Sequence, residues 1–102
     1  MTSCSTHVLD AALGVPASGL EVTLTGADAD LAAVTDDDGR ISWPGELDPG
    51  TYVLRFATAA WFAAADRETF FPEIQLVVDL SGPHTHVALL LSPFSYTTYK
   101  GS

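Results

Sequence analysis

Hydrophobic and polar residues alternate along much of this chain with a period of two. The alternation is clearest in residues 19–26 (GLEVTLTG), 51–58 (TYVLRFAT) and 73–80 (EIQLVVDL). Successive side chains of a β-strand point to opposite faces, so a half-buried strand shows this period. The pattern therefore predicts strands with one face in a core and the other face toward solvent.

A further strand is predicted over residues 84–92 (HTHVALLLS), which contain two of the three histidines of the chain. Its alternation assigns two sets of side chains to opposite faces: His84, His86 and Ala88 on one, and Val87, Leu89 and Leu91 on the other. The histidines are thus expected on one face and a run of core residues on the other.

Short turn sequences rich in Gly, Pro and Asp separate the predicted strands. Among them, Asp38-Gly39 predicts a hairpin between residues 31–35 and 40–43. Short strands at regular spacing with such turns are typical of an antiparallel β-sandwich. We therefore expect an all-β fold built as a two-sheet antiparallel sandwich, in a single domain over residues 1–102.

Residues 58–66 (TAAWFAAAD) are the one helical segment that the pattern predicts, about two turns long. Trp61 and Phe62 are expected to form its buried face. Residues 70–74 (FFPEI) are interpreted as the entrance to a strand that packs its aromatic side chains into the core.

Composition limits the partners and the compartment. Four basic residues stand against 13 acidic ones, for a net charge of −9, which repels nucleic acid and anionic membrane surfaces. The lone Cys4 cannot form an internal disulfide, which suits a reducing compartment. The first residues do not read as a secretory signal, and the longest apolar run is too short to span a bilayer. A soluble, cytoplasmic protein is expected.

The histidines are the main candidates for chemistry, because no other side-chain type here titrates near neutral pH unperturbed. His7 lies early in the first strand and His86 in the last long one, so both can reach one surface of a sandwich. His84 and His86 are spaced for shared metal ligation, but the chain has neither a Cys cluster nor a helical zinc motif, so no metal site is predicted. Nucleophilic-serine and phosphate-loop motifs are also absent. The remaining chemistry is activation of water by histidine, helped by a cation from Arg40 or Lys100.

Four segments together resemble a known family. They are STHVLD (residues 5–10), TDDDGRI (35–41), FFPEI (70–74) and the closing HTHVALLLSPFSYTTYKGS (84–102). In this order and spacing the chain resembles the 5-hydroxyisourate hydrolases, which are transthyretin-related proteins of purine catabolism. The resemblance covers essentially the whole chain.

The resemblance implies a transthyretin-like two-sheet sandwich with one short α-helix, in agreement with the periodicity. It implies a homotetramer, a dimer of dimers with active sites in a channel between the dimers. The implied reaction is hydrolysis of 5-hydroxyisourate to 2-oxo-4-hydroxy-4-carboxy-5-ureidoimidazoline on the route from urate to allantoin, without cofactor or metal. The implied ligand is this small-molecule substrate.

Carried over by position, the resemblance implies a set of site residues. The catalytic ones are His7, Arg40, His86 and Ser102, and the substrate-binding ones are His7, Arg40, Tyr99, Lys100, Gly101 and Ser102. The family usually has arginine at Lys100, and lysine keeps the charge but not the planar fork of donors. Two smaller departures are Thr85, where an aromatic residue is frequent, and Ala88, where proline is usual.

The roles follow from what hydrolysis of a cyclic amide needs. His7 and His86 are assigned jointly as general base and proton shuttle. Arg40, assisted by Lys100, is expected to bind the oxygen-rich ring and to stabilise developing negative charge. The hydroxyl of Ser102 is expected to hold water or substrate, and its terminal carboxylate to orient a histidine or a cation. Sequence does not divide the work between the two histidines.

Two alternative functions share this fold class. Transthyretin itself is a small-molecule carrier, but the carriers lack the histidine set and the closing tetrapeptide. Accessory sandwich modules of carboxypeptidases and surface proteins resemble residues 14–26, 35–40 and 47–56, but not the last strand or the tail. The hydrolase interpretation therefore explains more of the sequence.

Overall fold

Two β-sheets pack face to face in the computed structural model of the chain, which describes residues 1–27 and 29–102. The first sheet contains β1 (Ser3–Asp10), β2 (Val15–Pro16), β5 (Arg40–Ser42), β8 (His84–Leu91) and β9 (Tyr96–Gly101). The second contains β3 (Glu21–Gly26), β4 (Ala29–Val34), β6 (Gly50–Phe56) and β7 (Ile74–Leu80). The one helix of these residues, α1 (Thr58–Ala64), follows β6.

The core lies between the sheets and is built from the apolar face of each strand. Fully buried members include Val8, Leu24, Leu54, Phe56 and Leu89. In β1 the burial alternates strictly, so every second residue of this strand is buried. The predicted all-β sandwich with one short helix is confirmed.

The helix forms where the sequence predicts it, but its aromatic residues are not equally buried. Phe62 is completely buried, whereas Trp61 is half-buried and its Nε1 donates a hydrogen bond to the backbone oxygen of Ser18 at 2.7 Å. Phe70, which was expected in the core, is 72% exposed. Among the described residues, no helix has the length and apolar character needed to cross a bilayer.

The Asp38-Gly39 turn forms, but it does not join a hairpin. The strand before it, β4, pairs with β3 in the second sheet, whereas the strand after it, β5, pairs with β1 in the first sheet. The hairpin prediction is therefore wrong, because a local turn signal does not tell which sheet the next strand joins. The turn instead carries the chain from one sheet to the other.

One pairing departs from a purely antiparallel sandwich. β1 and β8 run parallel, with Ser5 opposite His86 and His7 opposite Ala88. Parallel neighbours need a long connection, and here most of the chain, including the whole second sheet, lies between the two strands. This pairing brings the N-terminal histidine segment beside the C-terminal one.

Asp10 fixes the end of β1. Its carboxylate is buried, accepts hydrogen bonds from the backbone N–H groups of Ala12 and Leu13, and accepts one from Arg67 at 2.7 Å. Burial raises the pKa of Asp10, but these hydrogen bonds and the charge of Arg67 outweigh it, so the net shift is downward. The last residue of STHVLD is therefore structural.

Candidate active site

Three of the predicted site residues, Arg40, His7 and Tyr99, lie in one row on the outer face of the first sheet. Arg40 pairs with His7 across β5 and β1, His7 pairs with Ala88 across β1 and β8, and Ala88 pairs with Tyr99 on β9. Paired residues share a face. The four side chains therefore form one row across four strands.

The next row along the same face contains the second histidine. It runs from Ser42 on β5 through Ser5 on β1 and His86 on β8 to Gly101 on β9. The rings of His7 and His86, on neighbouring rows, have their centroids 6.4 Å apart at an angle of 44°. The structure thus brings His7 and His86 together on one face.

The Asp38-Gly39 turn holds His7. The Nε2 atom of His7 lies 3.0 Å from the backbone oxygen of Asp38. A carbonyl oxygen only accepts, so Nε2 carries the proton of the neutral ring and Nδ1 keeps its lone pair. This turn therefore fixes the tautomer of His7 as well as the start of β5.

The turn itself is rigid for local reasons. The Asp36 carboxylate accepts hydrogen bonds from the backbone N–H groups of Asp38 and Arg40, both at 2.9 Å. Gly39 has φ +76°, and a Cβ there would lie 2.3 Å from the backbone oxygen of Val8. Only glycine fits this combination of positive φ and close approach. The Asp-Asp-Asp-Gly-Arg sequence thus positions Arg40 beside His7.

His86 is held from two sides. Its Nδ1 lies 2.7 Å from the Oγ of Ser5, and it is half-buried. On the other side, a Cβ at position 101 would lie 2.5 Å from Cδ2 of the His86 ring. Gly101 therefore leaves the space that the His86 ring occupies, which gives this glycine of the closing tetrapeptide a physical role.

The pKa of His86 is lowered from its ordinary value. Burial is the largest cause, followed by the positive charges of Arg40, His7 and His84. Removal from water and nearby cations both disfavour the imidazolium form. His86 is therefore neutral, and able to accept a proton, at neutral pH.

The register does not bring Lys100 to the histidines. It pairs with Val87, a core residue, and so lies on the opposite face of β9 from Tyr99 and Gly101. There it helps line a cavity of about 410 Å³ between the edges of the two sheets, together with Thr85. The expectation that Lys100 assists Arg40 has no support within one chain, because alternate residues of a strand face opposite ways.

The rest of the tail borders the site. Tyr99 is 54% exposed on the histidine face, and Ser102 follows directly after the end of β9 and is exposed. Arg40 is exposed too. In one chain, the candidate site is therefore a shallow surface with the two histidines as its floor.

Two serines that contact the histidines, Ser3 and Ser5, are absent from the set of site residues predicted from the sequence. The Oγ of Ser5 lies 2.9 Å from Nε2 of His84 as well as contacting His86, and the Oγ of Ser3 lies 2.6 Å from Nδ1 of His84. His84 thus shares the face of His86. The available signal was alternation, since Ser3, Ser5 and His7 are two residues apart on one strand.

Cys4 contributes no nucleophile to this face. Its thiol is buried on the core side of β1, and burial raises its pKa to about 11. A thiol with such a pKa is almost entirely protonated at neutral pH and is a poor nucleophile. The reactive groups of the described site are therefore imidazole, guanidinium and hydroxyl.

Comparison with known proteins assigns the family. The model of the HIUase/Transthyretin family matches residues 4–101, which include both histidine strands and Arg40. The chain belongs to this family. The predicted transthyretin-related family is thereby confirmed.

Hydrolases and a transthyretin are both similar to the chain over nearly its full length. A 5-hydroxyisourate hydrolase of Mus musculus is 39% identical, covering 96% of this chain and 93% of its own length. The structure of Klebsiella pneumoniae 5-hydroxyisourate hydrolase superposes with a TM-score of 0.92 at 38% identity over 100% of both chains. Sea bream transthyretin in complex with thyroxine superposes with a TM-score of 0.85 at 30% identity, covering 96% of this chain and 93% of that one.

Proposed function

We propose that this protein is an enzyme that hydrolyses 5-hydroxyisourate in urate catabolism. The observation that carries the proposal is the convergence of His7, Arg40 and His86 on one face of a chain whose hydrolase relatives match it from end to end. A carrier needs a complementary cavity, but it does not need two neighbouring imidazoles beside a guanidinium. The carrier alternative is therefore not favoured.

His86 is the best placed general base. Its Nδ1 is engaged by Ser5, which directs Nε2 away from that contact. In the proposed reaction, Nε2 removes a proton from water as the water oxygen bonds to a ring carbonyl carbon. The carbon–nitrogen bond then breaks and the departing nitrogen takes the proton. Such proton transfer contributes about 10²- to 10⁴-fold to a rate.

His7 and Arg40 complete the chemistry that this face supports. The guanidinium of Arg40 supplies the positive charge that stabilises an oxyanion as water adds to the carbonyl. His7, fixed through Asp38, presents its unprotonated Nδ1 and is suited to hold the water or a substrate N–H. We assign Tyr99, Gly101 and Ser102 to the border of the substrate site, with Gly101 acting through the room that it leaves for His86.

A homotetramer, arranged as a dimer of dimers, fits this shallow site. Within the described chain the histidine face carries no second wall, and the aromatic side chain of Tyr99 on this face is 54% exposed. We infer that a partner subunit covers the face and excludes water. We also keep the prediction of a cytoplasmic location, which the single free cysteine supports.

The test is a direct assay. Freshly generated 5-hydroxyisourate should lose its ultraviolet absorbance much faster with the protein than without it. His86→Ala should lower kcat by about 100-fold or more, because it removes the proton acceptor. A circular-dichroism melt of the variant controls for folding. If the wild-type protein does not accelerate the decay, the proposed function is wrong.

A further inference from the structure

Four polar side chains form a continuous hydrogen-bonded row along the β1–β8 pair. The Oγ of Ser3 lies 2.6 Å from Nδ1 of His84, Nε2 of His84 lies 2.9 Å from the Oγ of Ser5, and the Oγ of Ser5 lies 2.7 Å from Nδ1 of His86. The parallel register creates the row, because it sets Ser3 opposite His84 and Ser5 opposite His86. We call these four residues the serine–histidine row.

The contacts of Ser3, at one end of the row, determine which atoms donate and which accept in each of its hydrogen bonds. The Oγ of Ser3 also donates to the backbone oxygen of Pro83 at 3.2 Å. A carbonyl cannot donate and a serine has one hydroxyl proton, so Ser3 must accept its other hydrogen bond, from Nδ1–H of His84. The Nε2 atom of neutral His84 then has a lone pair and accepts the hydroxyl proton of Ser5.

The single hydroxyl proton of Ser5 determines the tautomer of His86 in the same way. Since Ser5 has given its only proton to His84, its oxygen must accept from Nδ1–H of His86. The lone pair of neutral His86 is therefore on Nε2, the atom that the proposed reaction requires as a base. If every hydrogen bond of the row ran the other way, Ser3 would lose its hydrogen bond to Pro83, and the proton of neutral His86 would lie on its Nε2 atom.

We propose that Ser5 and His84 are positioning residues that set the tautomer of His86 and relay its excess proton toward solvent. The proposal rests on the assignment of His86 as the base. When Nε2 takes a proton from water, the Nδ1 proton passes to Ser5 and the hydroxyl proton of Ser5 passes to Nε2 of His84. His84 becomes the imidazolium, and His86 is neutral with a proton on Nε2.

The return of these protons closes the cycle. His86 gives its Nε2 proton to the departing nitrogen, while the proton on His84 moves back through Ser5 to Nδ1 of His86. No proton is gained or lost overall. The benefit is electrostatic: His84 is exposed, whereas His86 is half-buried beside other cationic side chains. The positive charge is held where water solvates it.

Two variants separate orientation from relay. Ser5→Ala removes the bridge, whereas His84→Gln keeps an oxygen that can accept the Ser5 hydroxyl but cannot take up a proton. The matched control is Ser42→Ala, because Ser42 pairs with Ser5 on the same face and makes no hydrogen bond to a histidine within the described structure. It removes the same hydroxyl from the neighbouring strand.

The tautomer is measured without substrate, by long-range ¹H–¹⁵N correlation spectra of protein labelled at histidine nitrogen. Neutral His86 should carry its proton on Nδ1 in the wild type, in Ser42→Ala and in His84→Gln, but should shift toward the Nε2–H form in Ser5→Ala. Both Ser5→Ala and His84→Gln should lower kcat by about tenfold or more with little change in KM. Ser42→Ala should leave kcat unchanged.

The proposal is overturned if neutral His86 of the wild type carries its proton on Nε2, or if either Ser5→Ala or His84→Gln keeps the wild-type kcat. These results differ from failure of the proposed function, in which the wild-type protein itself has no activity on 5-hydroxyisourate. The spectra need no turnover, so they test the direction of the row in either case.

Discussion

The outer faces of the two sheets follow the same alternating pattern but differ in what their polar groups contact. On the first sheet, one row runs from Arg40 through His7 and Ala88 to Tyr99. On the second sheet, the equivalent row runs from Ala32 through Thr23 and Arg55 to Gln75. Each row contains one arginine, so residue type alone does not distinguish them.

The difference lies in the neighbours of each arginine. The Nε of Arg55 lies 3.0 Å from a carboxylate oxygen of Glu73, and both side chains are largely exposed. Arg40 has no carboxylate within 4.0 Å among the described residues, and its neighbour in the row is a histidine. The guanidinium of Arg55 is already neutralised in part by Glu73 and by water, so it stabilises a further anion only weakly. The guanidinium of Arg40, which lies beside two imidazoles, can stabilise an anion directly. The comparison shows that the groups surrounding a charged side chain, rather than alternation, distinguish a candidate site from an ordinary polar face.

The largest expected effect is the loss of activity when Arg40, but not Arg55, is replaced by alanine. Arg40→Ala should lower kcat for 5-hydroxyisourate by about 100-fold or more, because it removes the charge that stabilises the oxyanion. Arg55→Ala should leave kcat unchanged and should lower the free energy of unfolding by less than about 1 kcal/mol, as expected for a surface pair. Initial rates in the ultraviolet assay and urea unfolding of both variants measure these effects. Equal losses of kcat in the two variants would abolish the distinction between the faces.

Much of the first sheet could be predicted from its sequence. The period of two assigned His84 and His86 to one face of a strand, and the helix over residues 58–66 was expected nearly where α1 forms. These features depend on local side-chain order, which the sequence contains directly. His7 and Arg40 were candidates because of their side-chain chemistry, and the family resemblance then implied their catalytic roles.

What could not be predicted depends on which strands become neighbours. The contact between Ser5 and His86 joins residues 81 positions apart in a parallel pair, and no local pattern specifies it. For the same reason the Asp38-Gly39 signal predicts a hairpin, although the strands on either side of it join different sheets. Lys100 is a different case: alternation alone would have separated it from Tyr99 and Gly101, but the tetrapeptide was treated as one motif.

A smaller effect is expected when the space beside His86 is filled. Gly101→Ala places a Cβ 2.5 Å from Cδ2 of His86, which is too close for an ordinary contact, and the ring cannot move away without losing its contact with Ser5. Since small misplacements of a catalytic group are costly, kcat should fall on the order of tenfold to a hundredfold. Thr97→Ala, an exposed position on the same strand and face, is the control.

The readout for this variant should separate displacement from unfolding. The thermal midpoint of Gly101→Ala should stay near that of Thr97→Ala, since no positive φ restricts position 101. A wild-type kcat in Gly101→Ala would mean that the position of the His86 ring does not matter for turnover.

The smallest expected effect concerns the pH dependence of kcat/KM, whose acidic midpoint should lie below the ordinary pKa of histidine. Burial and then the charges of Arg40, His7 and His84 lower the pKa of His86 below its ordinary 6.5. The base acts in its neutral form, so kcat/KM should fall as pH drops through this lowered pKa, with a midpoint below pH 6.5. A midpoint at or above 6.5 would contradict His86 as the base.

Transferring a carboxylate to the histidine face sharpens this test. Ser42→Asp puts a negative charge two strands from His86, roughly 10 Å away by strand spacing. It favours the imidazolium, so the acidic midpoint should rise by about 0.3 pH unit at low salt and return toward the wild-type value in 1 M salt. Gln75→Glu adds the same charge to the outer face of the second sheet and should cause no shift. If both variants move the midpoint equally, the effect reflects net charge, and the field around His86 is not specific to the face on which it lies.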